Sequence, residues 1–169
     1  MELISTYICK QGDIGVHNNM FGGIILSIID DAAASYASQI CDTQRVVTLK
    51  IDELVFKLPV KSGNILKIYG SVKEFGTTSV TLYIEVRKHN VYTGVQKVVT
   101  HTNMKFVRID DEGEPLAISD RVKTRYADRV KKFGRALLTP EEMTRSKAKK
   151  PVDDSKDWDS TLADGLENL

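Results

Sequence analysis

The chain has 169 residues and a formal net charge of +1, enough length for one domain with appendages and a sizeable core. The balanced charge gives the whole chain no electrostatic attraction to nucleic acids or anionic membranes, so neither partner is expected. The longest apolar run, Ile24–Ile29, contains a serine and is far shorter than the ~20 residues that span a bilayer. No basic stretch followed by an apolar one opens the sequence, so a signal peptide is not expected.

The cysteines and histidines show no metal-binding pattern. Cys9 and Cys41 lack CxxC spacing, which is typical of reduced thiols in a cytoplasmic protein. His17, His89 and His101 fall at no metal-ligand spacing, so the sequence predicts no metal site. No redox cofactor is expected either. His17 precedes the first predicted helix and could lie near a site, although a loop histidine without a catalytic role is the favoured interpretation.

The first elements in chain order are a strand, a loop and a long helix. Leu3–Lys10 predicts a short strand, and a loop rich in glycine, aspartate and asparagine follows over Gln11–Asn19. Met20–Ile40 predicts a helix too rich in apolar residues for a surface position. Gly22 and Gly23 stand at its start and leave backbone N–H groups uncovered, and such groups stabilise negative charge.

Two adjacent acids on this helix fall on different faces at ~100° per residue. Asp31 lies on a polar face and is interpreted as a solvated charge. Asp30 lies among small and apolar residues, where an unpaired carboxylate is costly. Asp30 is therefore either a candidate base or a buried acid paired with a distant Arg or Lys. With the glycine amides, it indicates a site that polarises a carbonyl and activates water. The face of Asp30 contains Gly23, Leu26, Ala33, Ala34 and Ala37, and the polar face contains Ser27, Asp31, Ser35, Ser38, Gln39 and Asp42.

Four extended segments follow the helix, separated by short connectors that imply antiparallel pairing. A long apolar helix next to such strands needs the sheet wrapped around it, so the predicted class is α+β. The predicted segments are Arg45–Leu58, with a bulge at Asp52-Glu53, then Asn64–Phe75, Thr78–Lys88 and Gln96–Ile109.

The character of the chain changes after Ile118. Ser119 could cap a strongly basic helix that ends near Leu138, and Thr139–Glu142 starts another short helix. The residues from Thr144 onward are mostly charged and polar and are interpreted as a tail that is mobile or docks on a neighbouring subunit. The predicted organisation is thus a domain over residues 1–118, a helical extension over 119–143 and a charged tail over 144–169.

Five short motifs occur in an order that resembles the hotdog-fold acyl-CoA thioesterases, in particular the YciA-like and cytosolic acyl-CoA hydrolase group. The resemblance covers about Lys10 to Ile118 and agrees with a central helix wrapped by an antiparallel sheet. The motifs are Asn19-Met20-Phe21-Gly22-Gly23, Ile29-Asp30, Arg45-Val46-Val47-Thr48, Phe56-Lys57-Leu58-Pro59-Val60 with Gly63, and Gly76-Thr77-Thr78-Ser79.

The resemblance implies acyl-CoA thioester hydrolysis and a role for each matching residue. Asp30 matches the helix carboxylate that serves as general base or nucleophile, and Asn19 matches a second polar catalytic residue. Gly22 and Gly23 match glycines whose N–H groups meet the thioester carbonyl. In this family the site is shared, so Asn19 would face Asp30 of a dimer mate, and such dimers assemble into hexamers. Near the acyl-pantetheine channel the family places segments that correspond here to Thr48, Gly76, Thr77, Thr78 and Ser79.

Two departures and two alternative functions accompany the resemblance. Asn18 and Gln44 stand where many relatives have glycine, which leaves loop geometry and substrate preference open. A non-catalytic acyl-CoA-binding regulator would need a DNA-binding element, for which Ser119–Leu138 is the candidate, although no helix-turn-helix pattern accompanies it. A hotdog dehydratase or hydratase would pair a histidine with the acid, and only His17 could serve.

Overall fold

The computed structural model describes residues 1–137, with side chains as far as Gly134. The chain divides into two units, Met1–Gly134 and Arg135–Leu169, and the fold described here is that of the first. The short helix predicted from Thr139 and the tail predicted from Thr144 lie outside the described residues. Within the described part, the elements are β1 (Glu2–Ile8), a 3₁₀ turn (Gln11–Asp13), α1 (Gly22–Cys41), β2 (Val46–Ile51), β3 (Ile65–Phe75), β4 (Ser79–His89), β5 (Gln96–Arg108) and α2 (Asp120–Leu137).

The strands form one antiparallel sheet in the order β1-β3-β4-β5-β2. Strand β4 is central, and alternate residues of it, Val80, Leu82, Ile84 and Val86, are buried. The alternate spacing places these four side chains on the core face of the sheet, and Thr81 and Glu85 on the opposite face are buried as well. Strands β1 and β2 are the two edges, so each has hydrogen-bonding groups on one side that the sheet does not use.

Helix α1 packs its apolar side against the sheet, as the residue spacing predicts. Its buried residues include Ile29, Ala33, Tyr36 and Ile40. The Tyr36 ring lies so close to Gly70 of β3 that an added Cβ would approach it to 2.9 Å. A central helix on an antiparallel sheet confirms the predicted α+β architecture.

By length and mean hydropathy alone, α1 is apolar enough to cross a membrane, contrary to the expectation from the apolar runs in the sequence. The same composition is found in a helix that a sheet covers, which is the position of α1 here. The buried alanines and isoleucines of α1 contact the sheet, so the composition has a sufficient explanation in the core.

The strand predicted over Arg45–Leu58 is too long, because β2 ends at Ile51. The irregularity in its pairing lies between Thr48 and Lys50 and not at Asp52-Glu53. Beyond Ile51 the Asp52 carboxylate accepts a hydrogen bond from the Asn103 amide at 3.2 Å. The Asp52 N–H also donates to the Asn103 carbonyl at 2.9 Å, and the residues that follow form a loop.

Helix α2 begins where the sequence predicts, with the Ser119 hydroxyl accepting a hydrogen bond from the Val122 N–H at 3.4 Å. Val122 is buried in the main core. Two arginines of its basic face form ion pairs, Arg125 with Asp42 and Arg129 with Glu2. Part of the positive charge of α2 is thus neutralised within the chain. The boundaries predicted at residues 118 and 143 stay predictions.

Candidate active site

A tight turn holds Asn19 just before α1. The Gly15 N–H donates to the Asn19 carbonyl at 2.7 Å, and the Asn18 N–H donates to the Gly15 carbonyl at 3.2 Å. Asn18 has φ 55°, a left-handed conformation that glycine adopts freely and that asparagine tolerates better than most residues. The turn therefore accommodates asparagine at a position whose backbone is in the left-handed region.

The Asn19 side chain has an unused polar atom. Its Oδ1 is buried and, among the described residues, has no hydrogen-bond donor. An unpaired buried amide oxygen costs stability. This atom is therefore a candidate contact for a substrate, a water molecule or a partner chain.

The first turn of α1 presents two backbone amides. Phe21 precedes the helix without a side-chain cap, and its carbonyl accepts from the N–H groups of Ile24 and Ile25. Among the described residues, no acceptor lies opposite the N–H groups of Gly22 and Gly23. Such unpaired donors carry the positive end of the helix dipole, so they suit a developing oxyanion.

Aromatic rings crowd these two glycines. A Cβ on Gly22 would lie 3.1 Å from the Phe56 ring, and one on Gly23 would lie 2.6 Å from the Phe21 ring. Glycine is therefore the residue that fits both positions without displacing a ring.

Asp30 is the ninth of the 20 residues of α1 and contacts β2. Its Oδ1 accepts a hydrogen bond from the Thr48 hydroxyl at 2.8 Å. Within the described residues it forms no ion pair, so pairing with a distant Arg or Lys does not explain it. The expectation of burial is wrong for a single chain, because Asp30 is only partly buried. Asp31 is exposed, which confirms its interpretation as a solvated charge.

One chain does not bring Asp30 to the amides of Gly22 and Gly23. The positions are seven and eight residues apart in α1, which corresponds to about 10–12 Å along the helix axis. A single carbonyl group cannot contact both the Asp30 carboxylate and the amides of Gly22 and Gly23 over that distance. If these groups act together, the carboxylate and the amides must come from different copies of the chain.

The Gly76–Ser79 segment forms the β3–β4 turn, with the Gly76 N–H donating to the Ser79 carbonyl at 2.8 Å. The Thr78 carbonyl accepts a hydrogen bond from the Arg108 N–H. Arg108 is the register partner of Val46, which begins β2 shortly after the end of α1. The turn therefore lies near the carboxyl end of α1, away from Gly22 and Gly23. Phe106 pairs with both Thr48 and Val80, so Thr48 and the start of β4 are two strands apart, or about 10 Å.

The edge strand beside Asp30 is apolar and exposed. Val47 is 43% exposed and Leu49 is 64% exposed, and Phe21 before α1 is 62% exposed. An unpaired strand edge with apolar side chains is a ready surface for another protein chain. The open side of the Asp30–Thr48 pair is thus adjacent to a surface suited to a second copy.

The loop that carries Phe56 is attached to the outer face of the sheet by Lys57. The Lys57 N–H donates to the Val99 carbonyl at 2.7 Å, and the Lys57 ammonium group lies 3.0 Å from His101 Nε2. The His101 ring also stacks on Tyr83. Much of His101 is exposed, but partial burial of its ring lowers its pKa. The Lys57 charge lowers this pKa further, and the Glu85 charge raises it by a smaller amount.

We expect the stability of the fold to depend on pH through His101. Its folded-state pKa lies below the ordinary value of 6.5, so the unfolded chain takes up the proton first as the pH falls. The stabilisation is present above that value and is lost as the pH decreases toward the folded pKa. The Tm of the wild type should fall more steeply between pH 7 and pH 5 than that of His101→Gln, whereas His17→Gln, at an exposed loop position, should follow the wild type. Parallel curves for all three proteins would contradict the assignment.

Comparison with known proteins gives the family. Residues 17–95 match the family described as the thioesterase superfamily. The acyl-CoA thioester hydrolase YciA of Escherichia coli (strain K12) is 31% identical over 120 residues, which cover 69% of this chain and 90% of the relative. The chain belongs to the thioesterase superfamily. This membership confirms the family that the five sequence motifs indicate.

Solved structures place this thioesterase in the hotdog fold. A hexameric hotdog-fold thioesterase of Campylobacter jejuni is 32% identical with a TM-score of 0.67, and the match covers 75% of this chain and 97% of that one. An acyl-CoA hydrolase from Staphylococcus aureus, in complex with butyryl coenzyme A and coenzyme A, is 27% identical with a TM-score of 0.64 and covers 86% and 93% of the two chains. The predicted hotdog fold is therefore confirmed.

The structure adds one contact of the site that the sequence does not predict. The resemblance relates Thr48 to the acyl-pantetheine channel, whereas the structure shows its hydroxyl bonded directly to Asp30. The two residues are 18 positions apart, on a helix and a strand whose relative register no local pattern encodes. The roles of Asn19, Gly22, Gly23, Thr48 and the Gly76–Ser79 segment stay predictions.

Proposed function

We propose that this thioesterase hydrolyses acyl-CoA to a carboxylic acid and free CoA at a site shared between two copies of the chain. The observation that carries the proposal is the division of the required groups along α1. Within the described residues, the amides of Gly22 and Gly23 have no acceptor and the Asp30 carboxylate has no ion pair. Relatives support the substrate class, because the Escherichia coli protein is an acyl-CoA thioester hydrolase and the Staphylococcus aureus structure contains butyryl coenzyme A.

In the proposed reaction, the thioester carbonyl oxygen lies against the Gly22 and Gly23 amides of one copy. Asp30 of the other copy removes a proton from water, whose oxygen forms a bond to the carbonyl carbon. The oxygen of the tetrahedral intermediate gains negative charge, which the fixed amides stabilise without reorganisation. The intermediate then breaks its C–S bond, and the proton held by Asp30 passes to the leaving thiolate. Asn19 orients the water or the carbonyl through its side-chain oxygen and amide.

Asp30 has a second chemical option, direct attack on the carbonyl to form a mixed anhydride that water then hydrolyses. Single turnover in H₂¹⁸O identifies the anhydride route when water attacks the aspartyl carbon of the anhydride. A water mechanism puts the label only in the product acid, whereas attack of water on the aspartyl carbon of an anhydride leaves label in Asp30.

The proposed assembly is a dimer that pairs through β2, with three dimers in a hexamer. The exposed apolar edge of β2 supports the dimer, and the Campylobacter jejuni relative is hexameric. We further propose that Thr48 and the Gly76–Ser79 turn line the acyl-CoA channel, that the reaction needs no metal or redox cofactor, and that the protein works in the cytoplasm.

Replacing Gly22 with proline tests the proposed amide donor. Gly22 is the first residue of α1, a position where proline is tolerated because its missing N–H has no helical partner. Gly22→Pro should reduce kcat about 10²–10³-fold, the typical effect of losing one oxyanion donor. Gly22→Ala is the matched control, since it adds a Cβ near Phe56 but keeps the N–H. Equal losses in the two variants would show that crowding, and not the amide, is responsible.

Release of CoA thiol from acyl-CoAs between acetyl and palmitoyl tests the proposed function directly. The assay should give turnover, unchanged after dialysis against EDTA. Binding of acyl-CoA without turnover, together with salt-sensitive DNA binding, would favour the regulator. Hydration of crotonyl-CoA without thiol release would favour a hydratase.

A further inference from the structure

A separate cavity of about 600 Å³ lies where β4 and β5 meet their connecting hairpin. Its lining includes Lys88, Lys97, His89 and Tyr92, together with Leu58 and Val95. None of its twelve lining residues is acidic. This volume suits a small organic ligand, and the lining combines positive charge with apolar and aromatic surface.

The two lysines of this cavity lie side by side on neighbouring strands. Lys88 and Lys97 are register partners on β4 and β5, an arrangement in which like charges destabilise a sheet. The Lys88 ammonium group donates to the Pro59 carbonyl at 3.3 Å. In the part of the chain with described side chains, neither lysine forms an ion pair. Burial lowers the pKa of Lys88, and the charges of Lys97 and then Lys61 lower it further. Positive charge is thus concentrated here without a counter-ion from the described side chains.

The hairpin places an aromatic ring at the rim of the cavity. Asn90 Oδ1 accepts from the N–H groups of Tyr92 at 2.9 Å and Thr93 at 3.2 Å, which fixes the turn. Tyr92 is 96% exposed. A fully exposed aromatic ring on an ordered turn can stack on a flat ligand group at little entropic cost.

We propose that this cavity binds a nucleotide, with Lys88 and Lys97 contacting its phosphate groups and Tyr92 stacking on its base. A bound phosphate would neutralise the two neighbouring lysines, and the Tyr92 ring would contact the base of the ligand. The same chemistry has two sources: a free nucleotide, or the phosphorylated nucleotide end of an acyl-CoA, the latter resting on the proposed function.

The cavity is linked to the loop before α1 by two hydrogen bonds. Lys88 donates to the Pro59 carbonyl, and the neighbouring Val60 carbonyl accepts from the Met20 N–H at 2.7 Å. Met20 follows Asn19 and precedes Phe21 in the chain. A phosphate that draws Lys88 away from Pro59 would therefore act on a segment attached to the predicted catalytic loop.

Isothermal titration of the full-length chain with ADP tests the binding site without requiring turnover. The wild type should bind ADP with a Kd of about 1 mM or lower. Lys88→Gln/Lys97→Gln should weaken binding about tenfold or more, the effect of losing charge-assisted hydrogen bonds. Lys131→Gln, which removes an exposed lysine from α2, should bind like the wild type. Adenosine should bind at least about tenfold more weakly than ADP, because it lacks the phosphates.

Tyr92 provides a second variant at an exposed position whose replacement leaves the core intact. Tyr92→Ser should weaken ADP binding and Tyr92→Phe should restore it, since both aromatic residues stack. Absence of ADP binding to the wild type, or wild-type affinity in the double lysine variant, would overturn the proposal while leaving thiol release and the proposed function untouched.

Enzyme kinetics then identify the source of the nucleotide. If the cavity takes the nucleotide end of the substrate, the double lysine variant raises KM for acyl-CoA but not for acyl-pantetheine, and ADP competes with acyl-CoA. If it takes a free nucleotide, KM for acyl-CoA is unchanged and ADP acts without competing. Either pattern supports a nucleotide site, provided that the titration shows ADP binding that depends on the two lysines.

Discussion

Asp30→Asn should abolish thiol release almost completely while leaving the fold and assembly unchanged. Asparagine keeps an Oδ1 that can accept the Thr48 hydrogen bond, so local packing is preserved. It cannot accept a proton from water, and loss of a general base typically lowers the rate about 10²–10⁴-fold. The measurement is kcat with the best acyl-CoA substrate, together with Tm and molecular mass in solution.

The adjacent acid is a close control for this substitution. Asp31→Asn makes the same chemical change one position along α1, on its exposed polar face. It should retain activity near that of the wild type, because Asp31 faces solvent and not β2. Full activity in Asp30→Asn would remove Asp30 from the chemistry, and equal losses in both variants would indicate a general effect of helix charge.

Mixing two inactive variants should restore activity if the site is shared. Asp30→Asn and Asn19→Ala each damage both sites of a symmetric dimer. In a mixed dimer, one site combines the intact Asn19 of one copy with the intact Asp30 of the other, and the second site carries both defects. Because random association makes half of the dimers mixed, co-expressed chains should regain about a quarter of wild-type activity.

A site built within one chain gives a different result. Every site in the mixed dimer then carries one defect, so the activity stays at the mean of the two parent variants. Differently tagged chains, purified through both tags, isolate the mixed species and raise the expected recovery to about half. Persistence of the parental activity in that species would contradict the proposed sharing between copies.

Local periodicity made the main elements of this fold predictable. The apolar spacing of α1, the alternation of β4 and the Ser119 cap of α2 are each decided by residues close together in the chain. The order of five short motifs also identified the family, and Asp30 could be separated from Asp31 by helix geometry alone. Strand β2 is the exception, since it ends at Ile51 although the apolar and β-branched residues that predict a strand continue to Leu58.

The amino-acid sequence by itself thus determined the helix, the sheet class, the family and the candidate acid, because periodic burial and motif order are properties of the linear chain. Only the tertiary structure decided the Asp30–Thr48 hydrogen bond, the position of the Gly76–Ser79 turn near the carboxyl end of α1, and the pairing of Lys88 with Lys97 on neighbouring strands. Each of these depends on strand register and on how α1 lies across the sheet. Those features arise from the packing of residues distant in sequence, for which local spacing carries no signal.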